Sequence, residues 1–152
     1  MKLADITKNS AIFTDENFSV DDILSLANRA ISRINMSCNT KFPHYMSTTE
    51  EYTAIPADSQ LDMISPYLSY GIKMNDSSLS EANIYLDEFY KALNDFKDKI
   101  GTLVDAYEKG DTENGLSSEY INNEGFGGVY GIDTTNAINI GFFGNNGNGG
   151  SY

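Results

Sequence analysis

Acid–base and metal chemistry near neutral pH most often calls on histidine, and this chain has a single one, His44. A histidine-centred catalytic or metal cluster would have one imidazole to draw on, so His44 reads as a structural residue. Cys38 is the only cysteine. No intrachain disulfide can form, nothing suggests a thiolate metal cluster, and a small buried core thiol is the reading. The stretch DTENGLSSEYIN at 111–122 has the acidic look of a calcium loop. Its glycine stands fifth instead of sixth, however, and Asn122 occupies the place of the bidentate glutamate. GFGGVYG at 125–131 spaces its glycines closely, but a phosphate cradle needs a strand before it and a helix after it. More glycine and a second extended run follow instead, so these glycines read as joints between β segments. No enzyme is expected, and no cofactor.

Two other groups of residues point to contacts with other chains. Arg29 and Arg33 are the only arginines and stand four apart, on one face of a helix. They read either as a solvated face or as an inter-subunit pair for a neighbour's carboxylates. The second group lies in the Gly- and Asn-rich ending, where Phe126, Val129, Tyr130, Ile132, Ile138, Ile140, Phe142 and Phe143 would leave a large apolar area exposed if unbound. GVYGI and AINIGFF alternate across DTTN as a β-hairpin does, and a lone hairpin is marginal in water. Strand addition to a partner would supply ladder bonds and burial, so these eight residues are the expected partner-docking set. Packing back on the chain's own helices is the alternative.

The elements that must carry these groups follow from the apolar pattern. The chain has 152 residues, 40% of them apolar and 21% charged, with a net charge of −12. That suits one modest core, and the want of clustered Lys and Arg argues against tight binding of naked nucleic acid. No run reaches the length of a signal peptide's apolar region or a membrane span, so a protein made in a cytoplasm and without a membrane partner is expected.

Residues 1–18 lack periodicity and read as an N-terminal arm. Residues 19–110 read as a helical domain, a small bundle of three main helices. Ser19 is a candidate N-cap, with Asp21 and Asp22 in the first turn and an apolar stripe at Val20, Ile23, Ala27, Ile31 and Ile34. Asn39 to Tyr52 reads as a loop or short strand pair over one end of the core. The next helix starts at Pro56 and carries Leu61, Ile64, Leu68 and Ile72 on one stripe, with a kink expected near 62–66 because of Pro66.

The longest seam joins Ala82, Leu86, Phe89, Leu93, Phe96, Ile100, Leu103 and Tyr107 at alternating spacings of four and three. Such a helix spans about 45 Å, more than two shorter helices cover. Its far end, with Leu103, Val104 and Tyr107, is therefore expected to meet another subunit, and Gly101 marks a possible break. After Gly110 no Lys or Arg remains while five acids do, which places the boundary of an extended C-terminal arm, 111–152, at this point.

The order of these parts resembles the head-to-tail connector (adaptor, or head-completion) family of tailed bacteriophages. The likeness rests on SVDDILSLANRAISRI, on YTAIPADSQLDMISPYLSYGIKM and on SEANIYLDEFYKALNDF, similar to that family's first, second and third helices, and covers about residues 19–100. It implies a virion protein at the head–tail interface, assembled as a homo-oligomeric ring, typically of twelve, beneath the portal protein. The ring would extend the DNA channel, help to retain packaged DNA and give downstream tail proteins a platform. C-terminal segments commonly dock on the portal in this family. An acidic lumen would let DNA pass without specific binding. The competing expectation is a non-viral helical scaffold that binds one partner through its C-terminal hairpin.

Overall fold

The computed structural model describes residues 1–10 and 18–122. Four α-helices run through them, α1 at Leu3–Thr7, α2 at Val20–Cys38, α3 at Ala57–Asn75 and α4 at Leu79–Glu108, followed by a 3-10 turn at Ser118–Tyr120. The described residues are thus mainly helical and contain no strand, and Lys2 and Glu51 form an isolated antiparallel bridge. The expected hairpin and all eight residues of the expected docking set lie outside the described residues, as do 11–17 of the expected arm.

Helix α2 begins with a reciprocal cap. Ser19 accepts from the Asp22 N–H at 3.1 Å and donates its own N–H to the Asp22 carboxylate at 3.1 Å. Two N–H groups at the helix start are satisfied in this way. Asn39 ends the helix in the left-handed region at φ 55°, a conformation asparagine tolerates better than most residues. Leu26, Ala27, Ala30, Ile31, Ile34 and Cys38 form the buried stripe. The stripe starts later than its sequence pattern suggests, because Val20 is exposed and Ile23 only half-buried in the first turn.

Helices α3 and α4 pack most extensively on each other, with α2 against α3 and α1 also on α3. Phe89 is fully buried edge-on to Tyr67, ring centroids 4.9 Å apart, and Leu93, Phe96 and Ile100 extend the same seam. Leu86 is half-buried. α2 comes close to α3 at Gly71, where a Cβ would stand 2.6 Å from both Leu26 methyl carbons. Helix α3 continues through Pro66 and α4 through Gly101. The cost of each breaker is local, whereas the apolar stripes on either side remain in contact with the core.

The segment after α2 is extended yet joins no sheet. Phe42 and Tyr45 place their backbone bonds on two asparagine side chains, seven residues apart on α2. Asn35 accepts from Phe42 N–H at 2.9 Å and donates to Phe42 C=O at 3.0 Å; Asn28 does the same for Tyr45 at 2.7 and 3.1 Å. Buried Gln60 then accepts from the Tyr45 hydroxyl at 3.2 Å and donates to the carbonyls of Tyr52 and Ile55. The loop reading of 39–52 holds, and the strand pair is replaced by side-chain amides.

Both ends of the helical unit differ from the expected boundaries. Residues 1–10 are not a free arm: Leu3 and Ile6 are fully buried, and Ala4 donates its N–H to Thr48 C=O at 2.8 Å. The unit runs Met1–Tyr120, past the change of composition at Gly110, and a second unit begins at Ile121. Residues 111–120 turn back against the end of α4, with Leu116 N–H donating to Leu103 C=O at 2.9 Å and Leu116 fully buried. Gly115 permits this approach, since a Cβ there would stand 2.5 Å from Tyr107 N and Asp111 O.

Candidate functional site

On α2, residues four apart share a face, so Arg29 and Arg33 project together beside the buried stripe. They line one shallow groove with Ser32 and Met36 of the same helix and Tyr90 and Leu93 of α4. The two arginines, read from the sequence as a solvated face or an inter-subunit pair, are therefore brought together.

Arg33 is fixed in place. Its Nε donates to the Tyr67 hydroxyl at 3.1 Å and its Nη1 to the Tyr90 hydroxyl at 2.8 Å, while the guanidinium carbon lies 5.9 Å from the Tyr67 ring centroid. The Tyr67 hydrogen bond and charge interaction lead in raising the Arg33 pKa above its usual value, and Tyr90 adds to them. Two of the five guanidinium N–H donors are thus used, on neutral hydroxyls.

Ion pairs among the described residues are Lys8–Asp5, Lys73–Glu81 and the contact of the Met1 amino group with Glu51, and neither arginine takes part. Arg29 is exposed, and Met36 is 84% exposed at the mouth of the groove. The chain matches no protein-family model, no curated protein and no solved structure.

Two cations, a partly exposed tyrosine and an exposed methionine can grip a carboxylate and cover an apolar side chain next to it. A second depression, between α3 and α4, is lined by Asp62, Glu88, Lys91, Asp95 and Lys99 among others, three acids against two lysines, so its charges largely offset one another. His44 is exposed, and its Nε2 lies 3.2 Å from Ser32 Oγ, which tethers the extended segment to α2. Cys38 is buried, and desolvation pushes its thiol up to about 11 despite nearby Lys97. Among the described residues no group of three or more His, Cys, Asp or Glu is placed to hold a metal ion. No helix among them is long and apolar enough to cross a membrane.

Leu103, Val104 and Tyr107 lie apart from the groove, at least ten residues or about 15 Å along α4 from Leu93. Each is half-buried within a single chain, where residues 111–120 fold back. The sequence reading missed Tyr67, Tyr90 and Met36. Met36 follows Arg29 and Arg33 at helical spacing and lies off the buried stripe, which was a usable signal. The tyrosines belong to other helices, and no spacing rule links them to α2.

Proposed function

We propose that the chain is a structural virion protein, the head-to-tail adaptor of a tailed bacteriophage. The observation that carries this reading is the coincidence of α2, α3 and α4 with the three segments that resemble the adaptor family's helices. The helices form a small bundle, and the chain following Tyr120 continues as a docking arm whose outer part, 126–143, holds a β-hairpin. Copies assemble as a ring, typically of twelve, beneath the portal protein. The ring extends the DNA channel without binding DNA specifically and supports the downstream tail proteins.

The role is mechanical, with no catalytic step. Charge supports a passage role: at −12 per chain, a ring lumen repels the phosphate backbone. The same repulsion acts between subunits, so apolar burial and local pairing of opposite charges must hold them together. Leu103, Val104 and Tyr107 would supply apolar contact, and Arg29 and Arg33 the cations.

Deleting the gene from the phage that carries it tests this role. The expected result is DNA-filled heads without joined tails, restored by supplying the protein in trans. Normal tailed particles from the deletion would overturn the proposal.

A further inference from the structure

We infer that the Arg29–Arg33 groove receives the Glu124–Gly125–Phe126 segment of a second copy of this chain. The inference rests on the adaptor reading in one respect, that copies associate.

The groove carries both arginines of a chain with 22 acids and only 10 bases, and neither arginine pairs with a carboxylate of a described residue. Arg33 is held with its planar fork directed by two tyrosine hydroxyls, so little freedom is lost when it grips a carboxylate. Beside the cations lie Met36, 84% exposed, and Tyr90, 39% exposed, over Leu93. The occupant must therefore bring an acid and an apolar side chain close together.

Residues 111–152 carry five acids and no base, the longest single-sign part of the chain. Within it Glu124 and Phe126 stand two apart. In an extended segment, residues at that spacing share a face and lie about 6.6 Å apart. Arg33 and Met36 are one helical turn apart on α2, about 4.5 Å along its axis. An extended segment with the Glu124 carboxylate on the guanidinium groups would bring Phe126 within reach of Met36 and Tyr90.

Each copy then carries one groove and one acidic segment. A contact between two different surfaces of the same chain is head-to-tail, and it closes into a ring when the rotation permits. It also places opposite charges together where chains of the same net charge meet.

The test uses the full chain, with a photoreactive benzophenone side chain placed at exposed Met36, in an equal mixture of ¹⁴N- and ¹⁵N-labelled copies. Irradiation should give cross-linked peptides that join the Met36 position to residues 123–133 and carry mixed isotopes. Arg29→Glu should lower their yield about fivefold, and Glu124→Lys in the same mixture should restore it. Arg29 is exposed, so its variant is expected to stay folded; a helical circular dichroism spectrum checks this.

Cross-links with one isotope only would place the segment on its own chain and overturn the inference. So would cross-links to another segment, no cross-link at all, or a yield indifferent to Arg29→Glu. The adaptor role stands or falls separately, on tail joining in the gene deletion.

Discussion

The side-chain amide of Asn28 forms two hydrogen bonds with the backbone of Tyr45, accepting from its N–H at 2.7 Å and donating to its C=O at 3.1 Å. Asn35 repeats the arrangement at Phe42 one heptad further along α2, so the extended segment is bonded to a helix as it would be to a neighbouring strand. Either Asn→Ala substitution leaves two partly buried backbone groups unpaired. Each should cost about 1–3 kcal/mol in urea unfolding, whereas Met46→Ala on the exposed side of the segment should change stability by less than about 0.5 kcal/mol.

Gly115→Ala should detach residues 111–120 from the end of α4. The added Cβ meets backbone at Tyr107 and Asp111, which cannot turn aside as a side chain can. Hydrogen exchange is the measurement: the Leu116 and Lys41 amides, bonded to Leu103 C=O and Tyr120 C=O, should lose protection while the amides of α3 keep theirs.

Phe89→Ala removes a fully buried ring from between α3 and α4 and should cost about 3–5 kcal/mol. Leu79→Ala, at the exposed start of the same helix, should cost little. Equal losses in chemical denaturation would place the core elsewhere.

Alkaline pH should unfold the protein. The Tyr45 and Tyr52 rings pack with centroids 4.2 Å apart, and desolvation pushes both phenol pKa values above the usual range. Cys38 is pushed up to about 11, again by desolvation. Unfolded thiols and phenols ionise near about 8.5 and 10. Above those values the unfolded state has released protons that the native state still holds, so stability falls as pH rises. It should be unaffected by these three groups below about pH 8 and decline through pH 9–11, as followed by urea midpoints. Tyr45→Phe should make the decline shallower.

Helices α2, α3 and α4 were legible because each rests on a local rule. Ser19 with Asp22 marked the start of α2, and the spacing of Phe89, Leu93, Phe96 and Ile100 marked the buried seam of α4. The ends of the unit were not legible. Leu3 and Ile6 are too few to form a periodic stripe, and the return of Leu116 to Leu103 depends on one glycine whose neighbours are remote in sequence. The candidate groove was legible in half: spacing paired Arg29 with Arg33, but the Tyr67 and Tyr90 hydroxyls that orient Arg33 lie 34 and 57 residues away.

Electron cryo-microscopy of the portal vertex in assembled particles tests the adaptor role most directly. The expected result is a ring of helical subunits immediately below the portal, each fitting α2, α3 and the 30-residue α4, with the chain following Asn122 running onto a neighbouring subunit or the portal. A vertex whose ring subunits are a different fold, in particles from which this chain is absent, would contradict it.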